Sequence, residues 1–191
     1  MNRRKSLKSL LVFGGICVGI LPIYKYMDDS PVIDADQLWN KRAVIAELAD
    51  IIIPASETPG AKEAGVENYI IKVLLSCHNA QEQRQFYSGL LEVEKYTINA
   101  FKKDFLSCSS TEKNLVLTHF SQTKRFSSKL LSKIEIKLVG RSFYTIIKKL
   151  TVDGYCQSNL GATLGLAYDY IPEKFQPCTT LEPDQRSWAT K

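Results

Sequence analysis

The feature that most limits the fold of this chain is the spacing of its apolar residues, which recur every three or four positions. In residues 66–78 they fall at Val66, Tyr69, Ile70, Val73, Leu74 and Cys77. This spacing places them on one face of an α-helix. Similar patterns predict helices over 37–53, about 80–106 and 134–150, and a shorter helix capped by Thr111 that carries Val116 and Phe120. Alternating patterns typical of β-strands are few, which favours an all-α fold.

Turn-forming residues separate these segments. Asp34 or Asp36 is suited to cap the first helix, Pro54 ends it, and Pro59 with Gly60 forms a strong turn signal. Glycines at 154, 161 and 165 are expected to break up the last third of the chain. We predict a single-domain, irregular bundle of five to seven helices over residues 37–178. It follows a signal or anchor segment (1–26) and a linker (27–36) and precedes an irregular tail (179–191).

The positive charge of the chain is concentrated at its start. The formal net charge is +5, and residues 1–26 contain five basic residues and no acid, namely Arg3, Arg4, Lys5, Lys8 and Lys25. The remaining chain is neutral, with 20 basic and 20 acidic residues. Nucleic-acid binding requires a basic face that displaces counterions, so the composition argues against a nucleic-acid partner.

The first 26 residues have the layout of an export signal. Arg3 and Arg4, followed by Leu7 and Lys8, resemble a twin-arginine signal, and an apolar run of about 14 residues follows at 10–23. That run is short for a membrane-spanning helix, which needs about 20 residues. No Ala-x-Ala cleavage site follows it, so the sequence leaves two outcomes open. The signal is either cleaved or retained as an anchor. A membrane anchor that does not use the twin-arginine route is the alternative. Both predict a periplasmic domain, either released or anchored to the periplasmic face of the cytoplasmic membrane.

The sequence offers few reactive groups. Its two histidines, His78 and His119, lie in no metal-binding motif, and we expect no metal or cofactor in this chain. No glycine-rich dinucleotide fingerprint follows a strand, which argues against flavin binding here. Cys156 and Cys178 are the closest pair of cysteines and could form a disulfide in an oxidising compartment. Free or buried thiols, or a cross-link to a partner, are the alternatives.

Three blocks of the sequence resemble the gluconate 2-dehydrogenase subunit 3 family. The first runs from residue 48 to 66 and includes Asp50, Pro54, Thr58, Pro59, Gly60 and Ala61. The second consists of Phe86, Gly89 and Leu90 in the long helix. The third spans 143–155 with Gly154 and Tyr155, and continues to Gly161, Tyr168 and Pro172. The basic stretch at 122–137 and the cysteine-bearing tail depart from the family pattern.

The resemblance implies a non-catalytic accessory subunit. Such subunits accompany a large flavoprotein of the glucose–methanol–choline (GMC) type that oxidises sugars or polyols, often together with a cytochrome c or another electron-acceptor subunit. FAD is then expected in the partner, and the twin-arginine signal is expected to export the two chains as a folded complex. The alternative is a membrane-anchored periplasmic interaction module without a dehydrogenase partner.

The resemblance also selects candidate residues for the partner interface. These are Asp50, Pro54, Pro59, Gly60, Gly154, Tyr155 and Tyr168. Asp50 is expected to anchor the Pro-Gly loop through hydrogen bonds. The prolines and Gly60 are expected to fix the shape of the backbone, because proline sets φ and glycine permits tight turns. Tyr155, Tyr168 and Tyr170 form an aromatic group that suits an interface, with ordinary core packing as the alternative.

Overall fold

The computed structural model describes residues 33–122, 141–168, 171, 178, 180 and 183–189, which belong to a compact unit that begins at Ile33. Within these ranges the α-helices are α1 (Ala35–Asn40), α2 (Arg42–Ile52), α3 (Val66–Cys77), α4 (Ala80–Phe101), α5 (Ser110–Gln122) and α6 (Phe143–Gln157). A 3-10 turn, Phe105–Ser107, precedes α5, and a π-helical turn, Gly161–Gly165, follows α6. The described residues contain no β-strand beyond one isolated bridge. The predicted all-α fold of five to seven helices is confirmed.

The first predicted helix, 37–53, is two helices that meet at Lys41. Asp34 caps α1, because its carboxylate accepts a hydrogen bond from the Asp36 amide at 3.4 Å. The Lys41 amide then bonds back to the Leu38 carbonyl at 3.0 Å, which tightens the last turn of α1 and ends it. Leu38 and Ile45, on either side of this junction, are both fully buried. The break therefore lets two short helices direct apolar residues into one core.

The long helix and its successor differ from prediction at their facing ends. α4 ends at Phe101 and not at 106, because Lys102 adopts a left-handed conformation with φ of 58° that stops the helix. Phe105 then enters the core from the 3-10 turn. The predicted cap of α5, Thr111, is wrong. Ser109 and Glu112 form a capping box, in which the Ser109 amide donates to the Glu112 carboxylate at 2.8 Å and the Glu112 amide donates to Ser109 Oγ at 3.3 Å.

The last long helix continues through a glycine that was expected to break it. α6 extends from Phe143 to Gln157, whereas the prediction was 134–150; residues 134–140 lie outside the described ranges. Gly154 lies within α6, and a Cβ at this position would approach the Tyr69 ring to 2.7 Å and Val66 Cγ1 to 2.9 Å. The glycine thus permits close approach of α6 to α3, and this packing outweighs its low helix propensity of about 1 kcal/mol relative to alanine.

The core lies where α2, α3 and α6 pack together, with α4 and α5 against α6. Leu48 of α2, Ile70 of α3 and Ile147 of α6 have no exposed area. Burying such a side chain contributes about 1.5–3 kcal/mol relative to leaving it in water. The C-terminal end of α3 is closed by the buried Gln83, whose amide donates to the carbonyls of Leu74 and His78 at 3.0 Å each.

None of the helices in the described part of the chain combines the length and the apolar character needed to cross a membrane. The predicted signal or anchor segment, 1–26, lies outside the described residues. So does most of the basic stretch at 122–137, of which only Gln122 is described.

Candidate functional site

The loop between α2 and α3, residues 54–60, is closed at its base by backbone hydrogen bonds. The Ala61 amide donates to the Ile53 carbonyl at 2.9 Å, which brings the two ends of the loop together. Within the loop, the Ser56 amide donates to the Thr58 carbonyl at 3.0 Å. Ala61 is fully buried, whereas residues 54–57 are exposed. We refer to residues 54–60 as the Pro-Gly loop. Its base belongs to the core and its tip projects into solvent.

Tyr155 of α6 supports this loop from a position 96 residues away in the sequence. Its hydroxyl donates a hydrogen bond to the Pro59 carbonyl at 2.7 Å, while the residue is only 7% exposed. A tyrosine that is buried generally needs such a partner for its hydroxyl. Gly165 of the π-helical turn packs directly on this hydroxyl, since a Cβ at position 165 would overlap it. The tyrosine is therefore enclosed between the loop and the turn that follows α6.

Gly60 and Asp50 complete the packing beneath the loop. A Cβ at position 60 would lie 2.7 Å from the Ala55 nitrogen and 2.9 Å from Asp50 Oδ1, so only glycine fits there without displacement of the backbone. The Asp50 carboxylate therefore packs against Gly60, and among the described residues it accepts no hydrogen bond from the loop. The Gly60 amide donates instead to the Glu63 carboxylate at 3.3 Å.

The charges beside the loop form a small network. Glu47 of α2 accepts hydrogen bonds from Lys113 of α5, at 2.8 Å, and from Lys62, which follows the loop. The hydrogen bond from Lys113, followed by that from Lys62, lowers the pKa of Glu47 below its usual value. The hydrogen bond that Lys62 donates to Glu47 raises the pKa of Lys62, and the charge of Asp50 adds to this effect. The network thus links α2, α5 and the C-terminal end of the loop while all three groups are charged.

The segment 183–189, here called the C-terminal strap, packs on the turn that follows α6. The Ala167 amide donates to the Ser187 carbonyl and the Ala189 amide donates to the Ala167 carbonyl, each at 2.8 Å. The Arg186 guanidinium donates to the Leu164 carbonyl at 2.7 Å. The side chains around these contacts remain exposed, with Leu164, Tyr168 and Trp188 at 50%, 44% and 52%.

The predicted site residues separate into three groups. Asp50, Pro59, Gly60 and Tyr155 meet at the Pro-Gly loop, and Pro54 begins its exposed tip. Gly154 faces α3 beneath the loop, whereas Tyr168 lies on the segment beside the strap. The signal residues Arg3, Arg4, Leu7 and Lys8 lie outside the described residues. The roles of all these residues at a partner interface stay predictions.

The cysteines and histidines are distributed over separate places. Cys156 and Cys178 are exposed and their thiols are free, so the predicted disulfide is not formed in this structure. His78 contacts Glu82 at 2.9 Å, and the ring of His119 stacks on Tyr96 with centroids 4.2 Å apart. In the described part of the chain, no group of three or more His, Cys, Asp or Glu residues is placed to hold a metal ion.

Sequence reasoning missed the residues that enclose Tyr155. Gly161 and Gly165 were read as helix breakers, yet both lie against Tyr155, and the Ser158 hydroxyl donates to the Tyr155 carbonyl at 2.8 Å. The local sequence does not distinguish these packing glycines from helix breakers, because the contact with Tyr155 depends on the turn that follows α6. Nothing in the local sequence indicated that Pro59 would be the partner of Tyr155.

The described residues thus define a small all-α protein with an exposed loop whose base is held by buried contacts. A family model for gluconate 2-dehydrogenase subunit 3 matches residues 40–172. The chain belongs to this family, which confirms the resemblance seen in the sequence, and the family is that of a subunit of a dehydrogenase complex. No curated protein and no solved structure matches the chain.

Proposed function

We propose that this chain is a non-catalytic accessory subunit that binds, stabilises and co-exports a flavin-dependent sugar or polyol dehydrogenase of the GMC type. The observation that carries the proposal is the family match, which covers residues 40–172 and therefore almost the whole helical domain. The Pro-Gly loop supports it, because buried contacts hold the base of this loop although its exposed tip contributes nothing to the core. FAD belongs to the partner in this proposal, as does the chemistry. A cytochrome c or another electron-acceptor subunit completes the complex.

Binding stabilises the catalytic subunit by mass action. A protein that binds only the folded form of its partner adds about 2.7 kcal/mol to that partner's stability when its free concentration is 100 times Kd. The accessory subunit therefore favours a folded flavoprotein before the complex crosses the membrane. Arg3 and Arg4 supply the twin-arginine pair that directs this folded complex to the periplasm, where it is released or remains anchored.

Co-expression with a GMC-type flavoprotein of the same organism tests partner binding. We expect an affinity tag on this chain to recover a large subunit that carries the flavin absorbance, whereas the chain purified alone shows neither flavin absorbance nor dehydrogenase turnover. Recovery of the tagged chain without a flavoprotein would favour a periplasmic interaction module with no dehydrogenase partner. Turnover by the isolated chain would contradict the non-catalytic role.

Replacement of both signal arginines tests co-export. In a strain that expresses both chains, Arg3→Lys with Arg4→Lys should retain the flavoprotein and this chain together in the cytoplasm, because in this proposal the flavoprotein is exported only through the signal of this chain. The control is the wild-type pair, fractionated in parallel with a periplasmic marker. Normal export of the flavoprotein in the variant strain would refute the export role and leave partner binding unaffected.

A further inference from the structure

The Pro-Gly loop is more strongly fixed than the fold requires. The hydrogen bond from the Ala61 amide to the Ile53 carbonyl already joins α2 to α3, and Ala61 is the buried residue of the connection. Beyond that bond, the Tyr155 hydroxyl holds the Pro59 carbonyl and the Gly60 backbone packs on Ala55 and Asp50. These contacts fix the path of residues 54–57, whose side chains are exposed and add nothing to the core.

We propose that residues 54–57 are the element that docks into the flavoprotein subunit and that Tyr155 is the positioning residue that sets their shape. This inference rests on the proposed function. On this inference, the flavoprotein offers an apolar contact to the exposed Pro54 and Ala55 and a basic side chain to Glu57. The charge argument comes from Glu57 itself, which is exposed and forms no ion pair with any described residue.

A pre-shaped loop binds more tightly than a mobile loop of the same sequence. Fixing the backbone of one residue costs about 1–2 kcal/mol, and a loop that must be ordered on binding loses that free energy from its affinity. The hydroxyl of Tyr155 holds the loop in the free protein, so this cost is met when the domain folds. The hydroxyl therefore acts on affinity through Pro59 and without touching the partner.

The test measures the affinity of the full-length chain for the purified flavoprotein subunit, together with the thermal stability of each variant. Tyr155→Phe removes only the hydroxyl and leaves the ring in place. We expect a loss of affinity of about tenfold, because losing one buried hydrogen bond frees the Pro59 carbonyl and the loop with it. The matched control is Thr97→Val, which removes another buried hydroxyl, bonded at 2.7 Å to the Val93 carbonyl in α4. It should lower stability similarly but leave affinity unchanged.

Charge reversal at the loop tip provides a second variant, whose folding is not in question. Glu57→Lys should weaken binding about tenfold or more at low ionic strength, with a smaller loss at high salt because screening reduces the repulsion. Glu92→Lys reverses an exposed carboxylate on α4 and should leave affinity unchanged. Wild-type affinity in both Tyr155→Phe and Glu57→Lys would overturn the inference and leave the proposed function standing. Failure of the wild-type chain to bind would instead overturn the proposed function.

Discussion

Two exposed segments lie against the same end of α6, and they are held in opposite ways. The Pro-Gly loop is fixed from beneath by a buried tyrosine, a buried glycine and the fully buried Ala61. The C-terminal strap is held by backbone hydrogen bonds and by one arginine, and its described side chains reach at most intermediate burial. An exposed hydrogen bond can be replaced by a hydrogen bond to water at little net cost in free energy. Buried packing is lost only when the core opens. The loop therefore shares the stability of the core, and the strap can detach independently of it.

The largest effect that separates the two segments is expected from removing one aromatic side chain in each. Tyr155→Ala should lower the free energy of unfolding by about 3–5 kcal/mol, because it leaves a cavity under the loop and frees the Pro59 carbonyl. Trp188→Ala removes a side chain that is half exposed and should change that free energy by less than about 0.5 kcal/mol. Urea titrations followed by circular dichroism measure both values. Equal losses in the two variants would contradict the comparison.

The helix that follows the Pro-Gly loop and the contact that holds this loop differ in how well they could be predicted from the sequence. The helix over 66–78 was predicted almost to the residue, because the spacing of its apolar side chains depends only on local geometry. The Pro59-Gly60 dipeptide correctly predicted a loop between two helices, although the structure has bends at 56–58 and the turn at 61–65. The hydrogen bond from Tyr155 to Pro59 was not predicted, because it joins residues 96 positions apart and depends on how α6 packs. Local patterns therefore identified the loop but not the side chain that holds it.

The role of a glycine is likewise not predictable from the local sequence alone. Gly154, Gly161 and Gly165 were all interpreted as breaks, since glycine has low helix propensity. Gly154 instead lies inside α6, where it allows Tyr69 and Val66 to approach the helix. A glycine that permits close packing and a glycine that ends a helix have the same local sequence signature. The tertiary contact distinguishes them, and a single sequence does not contain it.

An intermediate effect is expected from acid, acting on the charge network beside the loop. The pKa of Glu47 is lowered in the folded state by hydrogen bonds from Lys113 and Lys62, from an ordinary value of 4.5. Its contribution to stability is therefore fully present above that value and is lost as pH falls through the lower folded pKa. Glu47→Gln should flatten the decline in stability below about pH 5. Thermal melts at several pH values measure this decline in stability. Glu92→Gln, which removes an exposed carboxylate, is the matched control. An unchanged acid profile in Glu47→Gln would show that the network does not support the loop.

The smallest change in the free energy of unfolding is expected from a variant of the strap. This variant tests whether the strap opens independently of the core. Arg186→Ala removes the hydrogen bond to the Leu164 carbonyl but leaves the bonds between Ala167 and the strap. The free energy of unfolding should change by less than about 0.5 kcal/mol, as for most exposed residues. Amide hydrogen exchange at Ala167 and Ala189 should nevertheless become faster, because local opening of the strap controls it. The Ala61 amide at the base of the Pro-Gly loop should keep its wild-type rate and is the internal control. Faster exchange at Ala61 as well would mean that strap and loop open together, and the distinction between the two segments would not hold.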